Sequence, residues 1–224
     1  MPAEEAVDTK TTPIDRAIVL AGGDLHTSPM PTPQTIVIAA DSGYDHARTL
    51  DIAVDILVGD MDSISQAGLD HASATGVTTL SYPTDKDHTD LELAILAAAA
   101  KGAQHIDVHG GEGGSLGHLL GVALELTDER WNGLTVRWHT QGGIAEVARP
   151  GAPVTIHGMP GDDVSLIPIG AADGIHTSGL AWPLEGDRLT AGTTRGLRNR
   201  ITTSPAEVNL TSGTVIVIWE AAHP

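Results

Sequence analysis

From Ala17 onward, short apolar runs alternate with longer stretches that mix polar and apolar positions, and most of the runs stop at glycine or aspartate. Ala17 to Ala21 ends at Gly22-Gly23, Thr35 to Ala40 ends at Asp41-Ser42-Gly43, and Ile56 to Val58 ends at Gly59-Asp60. Val77 to Leu80 and His105 to His109 continue the series, the last ending at Gly110-Gly111. Buried runs of this length, separated by helical segments, predict a parallel sheet with helical crossovers. Ligands of such open sheets sit at the carboxyl ends of the strands, which is where the polar residues gather. Thr89-Asp90-Leu91-Glu92 predicts a helix start, with Thr89 as N-cap and Glu92 reaching back to close a capping box. An alanine-rich run carries that helix to Lys101, and Gly102 is placed to stop it. A second helix is predicted over 119–126.

After about Gly142 the pattern changes. Pro150, Pro153, Pro160, Pro168 and many glycines separate short strand-like runs at Val154 to Ile156, Val164 to Ile167 and Thr214 to Trp219. Helical periodicity is absent, which predicts an all-β unit of sandwich or barrel type. The expected fold class is therefore α/β: an N-terminal parallel-sheet α/β domain followed by a smaller all-β sandwich-like domain. The expected boundaries are a polar tail over 1–15, an α/β domain over 16–142 and an all-β domain over 143–224. The polar, acidic stretch from Met1 to Pro13 reads as a tail rather than a signal peptide. No apolar run reaches the roughly 18 residues of a membrane span, so no membrane association is expected.

Composition narrows the chemistry. The 224 residues are 41% hydrophobic, enough for a core, and carry a formal net charge of −17. That charge argues against a nucleic-acid partner, since binding to phosphate backbones rests on clustered lysine and arginine. An anionic substrate would be repelled as well, unless cations intervene. The absence of cysteine excludes disulfides and thiolate metal sites, and fits an expected cytoplasmic location.

Four glycine-adjacent segments carry the carboxylates: Asp41-Ser42-Gly43, Gly59 to Ser63, Asp85 to Asp90, and Gly110 to Ser115. Asp60 and Asp62, one residue apart after a strand, can turn toward one point and suit Mg²⁺, which takes a few carboxylates plus substrate phosphates. The same residues also fit a turn in which Asp62 or Ser63 caps the next helix. Asp85, Asp87 and Asp90 crowd one helix start, where a single acid would satisfy the helix dipole. Lys86 offsets part of their repulsion, and a divalent ion would offset more. The loop at Gly110 to Gly114 lies between a strand and a helix, where backbone N–H groups can cradle phosphate oxygens, although Glu112 is an unexpected neighbour for phosphate.

The order of these motifs resembles the thiamine pyrophosphokinase family over nearly the whole chain. Ala40 to Gly43 is similar to the family's Ala-Asp-Gly-Gly, and Gly59 to Ser63 matches its Gly-Asp-x-Asp-Ser. Asp85 to Asp90 with Glu92 matches its Asp-Lys-Asp-x-Thr-Asp and the acid that follows. Gly179 to Leu184 resembles its Gly-Leu-x-Tyr-Pro-Leu, with Leu189 to Gly192 and Thr194 to Gly196 in the expected order. The resemblance implies transfer of diphosphate from ATP to the thiamine hydroxyl, giving thiamine diphosphate and AMP, by a homodimer using Mg²⁺. It implies metal binding by Asp60, Asp62 and Asp90, and catalytic roles for Asp41, Asp87 and Asp90. It points to nucleotide contacts at Lys86, Gly111, Gly113, Gly114, Ser115 and His118, and to substrate contacts at Trp182, Arg198 and Asn199. The chain departs from the family at Ser115 and Gly117, where arginine and aspartate are expected, and at Arg198 and Arg200, which flank Asn199. Those departures keep two other readings open: a pyrophosphokinase for another alcohol, and a non-catalytic regulator that binds nucleotide or thiamine.

Overall fold

The computed structural model describes residues 14–222; the N-terminal tail expected up to residue 13 lies outside them. The first half builds six parallel strands, β1 (Arg16–Leu20), β2 (Thr35–Ala40), β3 (Ile56–Gly59), β4 (Thr78–Ser81), β5 (His105–His109) and β6 (Thr135–His139). Four helices connect them: α1 (Gly43–Thr49), α2 (Gln66–Thr75), α3 (Asp90–Ala100) and α4 (Leu116–Glu125). The spatial order is β4-β3-β2-β1-β5-β6. The chain therefore moves outward from β1 on one side and returns to its other side at β5. The carboxyl ends of β1 and β5 frame a topological switch point, the usual ligand crevice of such sheets.

The central strands β1, β2 and β3 form because they are rich in β-branched residues and buried on both faces, whereas the edge strand β4 is largely exposed. Leu20, Ile38, Leu57 and Ile106 are each at most 1% exposed, and burial of such a side chain stabilises by about 1.5–3 kcal/mol. Helix α3 lies on this sheet with Leu91, Leu93, Ala94, Ile95 and Ala98 buried. Its alanines let the helix axis approach closely.

The second half consists of strands: β7 (Gly143–Ala148), β8 (Val154–Ile156), β9 (Asp163–Ser178), β10 (Glu185–Thr190), β11 (Asn199–Arg200), β12 (Ala206–Asn209) and β13 (Ser212–Glu220). It is β-rich, as the proline and glycine spacing predicts, yet the pairing does not break between the halves. Strand β7 pairs antiparallel with β6, and β13 with β7, so one mixed sheet runs through the molecule. Alternation along β13 serves two cores. Val215, Val217 and Trp219 pack into the C-terminal core, while Ile216, joined by Ile218, packs with the N-terminal one.

Two local expectations need correction. Thr89 does cap α3, its hydroxyl oxygen accepting the Glu92 amide at 3.0 Å. The Glu92 carboxylate does not reach back, however; it is buried against Arg130 and lies 2.5 Å from His88. Helix α4 starts at Leu116 rather than 119, because the Ser115 hydroxyl accepts the His118 amide and so sets the helix end three residues earlier.

Candidate functional site

Above the switch point lies a cavity of about 430 Å³. Its walls come from the carboxyl ends of β1 and β2 (Ala21 to Gly23, Ala40 to Ser42), the start of α3 (Thr89 to Leu91), Gly111, and the inner face of α4 (His118, Val122 and Glu125). Close backbone packing holds these turns together. A Cβ on Gly43 would stand 1.9 Å from the Leu20 carbonyl oxygen, so only glycine lets α1 begin directly over β1. Gly110, at φ +88°, keeps its carbonyl fixed by the indole N–H of Trp138 at 2.7 Å.

The acidic turns meet at one edge of this cavity. Ligand oxygens of Asp41, Asp60 and Asp62 all lie within 4.8 Å of one another. Asp41 is buried and sits at φ +47°, a left-handed conformation that aspartate tolerates better than most residues. Its Oδ2 accepts both the amide and the hydroxyl of Ser63, while its Oδ1 is buried with no hydrogen-bond partner. Met61, between the two other acids, is likewise left-handed at φ +67°, which turns Asp60 and Asp62 toward the same side. Lys86 answers part of the negative charge: Nζ donates to Asp60 Oδ2 at 3.1 Å and lies 3.1 Å from Asp90 Oδ1, the latter without hydrogen-bond alignment.

These contacts set the proton affinities. The hydrogen bond from Lys86 holds Asp60 below the ordinary carboxylate range. The negative charge of Asp60 pushes Asp62 up, and burial pushes Asp90 up against the opposing pull of Lys86. The site is thus short of positive charge and holds a buried, unpartnered carboxylate oxygen. An oxygen-only set of three converging carboxylates fits a hard divalent cation of the Mg²⁺ type.

Against the sequence expectations, the structure brings Asp41, Asp60 and Asp62 together, with Asp90 and Lys86 beside them. Asp87 is exposed and outside the cavity wall. Gly111 and His118 line the cavity, whereas Gly113, Gly114 and Ser115 do not. Ser115 is occupied as the α4 cap. The Glu112 carboxylate accepts the Gln141 amide at 2.7 Å, and its backbone bridges Asp24. Trp182, Arg198 and Asn199 stand in the C-terminal half, away from the cavity. Trp182 is 59% exposed, Arg198 pairs with Asp163 at 3.0 Å, and Asn199 is buried.

Sequence reasoning missed Ser63, Thr89 and Glu125 as parts of the site. Glu125 had a signal: it follows His118 by seven residues, two helical turns, and therefore shares its face. Its Oε2 accepts the Thr89 hydroxyl at 2.9 Å, its Oε1 is buried without a partner, and burial raises its pKa to about 7.

Comparison with known proteins gives consistent relatives. Residues 31–136 match the family model described as thiamin pyrophosphokinase, catalytic domain, and residues 154–215 match thiamin pyrophosphokinase, vitamin B1 binding domain. The chain is 25% identical over 211 residues to the thiamine pyrophosphokinase of Bacillus subtilis (strain 168), covering 89% of this chain and 96% of that protein. The solved structure of thiamine pyrophosphokinase from Bacillus subtilis superposes with a TM-score of 0.82 at 24% identity, covering 92% of this chain and 99% of the other. Thiamin pyrophosphokinase from Candida albicans gives a TM-score of 0.74 at 15% identity, covering 92% and 89%. These two structures speak to the fold, which they share with this chain.

Proposed function

The chain belongs to the thiamin pyrophosphokinase family, both of whose domains it carries in order, and from that premise we propose how its cavity performs diphosphate transfer. The protein is a thiamine diphosphokinase: it moves diphosphate from ATP to the thiamine hydroxyl, releasing AMP. The observation that carries the reading is the convergence of Asp41, Asp60 and Asp62 at the edge of the switch-point cavity. The two other readings are not favoured. The replacements at Ser115 and Gly117 prompted the regulator reading, and Ser115 has its own structural task as a helix cap. The arginines around Asn199 prompted the other-alcohol reading, and Arg198 is paired with Asp163 at 3.0 Å.

In this reading Asp41, Asp60 and Asp62 would hold Mg²⁺. When bound, a divalent ion there would supply positive charge against the substrate's phosphates. Lys86, positioned between Asp60 and Asp90, contributes a positive charge at the same edge. The thiamine oxygen attacks the β phosphorus, the bond from that phosphorus to the α–β bridging oxygen breaks, and AMP leaves with that oxygen. The hydroxyl proton must go to a base. Asp90 lines the cavity and Asp87 is exposed beyond it, so Asp90 is the better placed acceptor. Gly111 and His118 stand on the cavity wall as contacts for the nucleotide.

Trp182, Arg198 and Asn199 do not reach this cavity within one chain. A thiamine subsite built on them therefore requires a second copy, and the functional unit is a homodimer working in the cytoplasm. The chemistry is tested by phosphorus NMR of a reaction containing ATP, Mg²⁺ and thiamine. AMP and thiamine diphosphate should appear in equal amounts with no ADP. ADP with thiamine monophosphate, or no consumption of ATP, would overturn the reading.

A further inference from the structure

One polar group in the cavity is left unused by the mechanism above. Glu125 stands on the wall formed by α4, where its carboxylate meets Thr89 at the start of α3, and its surroundings fix its hydrogen bonds. The Thr89 oxygen already accepts the Glu92 amide, so the single Thr89 hydroxyl hydrogen is free to go to Glu125 Oε2. Glu125 Oε1 is buried and has no partner. A buried polar atom without a partner costs about 1–3 kcal/mol, so its persistence in a cavity wall points to a ligand that satisfies it. The same cavity is lined in part by Ala21, Ala40, Leu91 and Val122, which give it apolar wall suited to a flat ring.

We infer that Glu125 recognises an aminopyrimidine edge, meaning a ring nitrogen beside an exocyclic amine, on a substrate bound in this cavity. A carboxylic acid presents an O–H donor beside a C=O acceptor, which is the complement of that edge. The proton is available: burial raises the Glu125 pKa to about 7, with Glu92 and Asp128 pushing the same way and the Thr89 hydroxyl and Arg130 opposing. His118, Asp41 and Asp90 are the other titratable groups lining the cavity. Two substrates of the proposed reaction carry the edge, adenine in ATP and the 4-aminopyrimidine of thiamine. The inference rests on the proposed function only for naming these two sources.

Replacing the amine by an oxo group inverts the donor and acceptor pattern, which separates the sources. Wild type, Glu125→Leu and Glu125→Gln would be titrated calorimetrically with ATP, ITP, thiamine and its 4-oxo analogue, at pH 6.5 and 8.5. Wild type should prefer the amino form of one substrate by roughly tenfold or more at pH 6.5, as expected for a site that pairs a buried polar edge. That preference should shrink at pH 8.5 as the carboxyl ionises. Glu125→Leu should bring it to within about twofold, whereas Glu125→Gln, which keeps a donor beside an acceptor, should retain it and lose its pH dependence. Movement of the ATP/ITP ratio assigns the edge to adenine, and movement of the thiamine ratio assigns it to thiamine. Unchanged ratios in a folded Glu125→Leu would overturn the inference. Should that variant not fold, a wild-type ratio that stays flat between the two pH values overturns it instead. Wild-type protein that binds with the amino preference yet releases no AMP would sink the proposed function and leave this inference standing.

Discussion

Asn199→Ala should unfold the protein more easily long before it reveals anything about substrate. The Asn199 side chain is buried and almost fully engaged by the fold. Its Oδ1 accepts the Trp182 amide at 3.0 Å and the Arg200 amide at 2.8 Å, and its Nδ2 donates to the Trp182 carbonyl at 2.6 Å. Alanine strands three backbone groups at once. Each buried orphan costs about 1–3 kcal/mol, but Trp182 lies at the surface where water can re-pair part of the loss, so a total of about 2–4 kcal/mol is expected. For a chain of this size that lowers Tm by roughly 5–15 °C. Urea denaturation followed by circular dichroism provides the check, with the midpoint falling and the slope unchanged. Asn199→Asp should lie between wild type and alanine, because it keeps both acceptor contacts and sets an acceptor against the Trp182 carbonyl. A folded Asn199→Ala with stability within about 0.5 kcal/mol of wild type and a sharply raised KM for thiamine would refute this reasoning. It would make Asn199 a substrate contact first.

Two further outcomes follow from the same geometry. The Glu125 carboxyl titrates at about 7 when folded against 4.5 in the reference state, so the folded protein holds a proton that the unfolded chain has lost in between. Its contribution is complete below pH 4.5 and is lost as pH rises through 7. Glu125→Gln does not titrate and should therefore gain on wild type across that window, reaching about 1–2 kcal/mol at pH 8 after allowing for partial solvation; parallel denaturation curves would contradict it. Gly43→Ala should cost about 2–4 kcal/mol, because its methyl would meet the Leu20 carbonyl oxygen. Gly121→Ala, in open space within α4, should be neutral or stabilising by up to about 1 kcal/mol, and thermal melts of the pair would show the contrast.

Much of the N-terminal half was legible because its central strands are buried on both faces and stop at residues that suit ligand loops. The runs at Ala17, Thr35, Ile56, Val77 and His105 all lie on strands of the structure. What local reading missed depended on partners distant in sequence. Glu92 fits a capping box by spacing, but Arg130, far along the chain, takes its carboxylate. Ser115 looked like a lost ligand and is a cap, a role visible only once the helix start is known. Glu112 is explained by the Gln141 amide that it accepts. The continuity of the sheet across β6, β7 and β13 was equally hidden, since the proline-rich texture after Gly142 suggests a separate unit. Asp41, Asp60 and Asp62 were individually conspicuous. Their meeting point depends on the left-handed turns at Asp41 and Met61, which no pattern of polarity reveals.

The central claim is that the acidic edge of the cavity carries metal-dependent diphosphate transfer. The most direct measurement is kcat for AMP release from ATP and thiamine as Mg²⁺ is varied, for wild type and for Asp60→Asn. Asn at this position keeps the side chain's shape and removes one charged oxygen ligand. The account predicts wild-type turnover that vanishes on chelation, and an Asp60→Asn kcat at least about 100-fold lower with Tm near that of wild type. An Asp60→Asn protein that retains most of its turnover, with the same Mg²⁺ dependence as wild type, would contradict it.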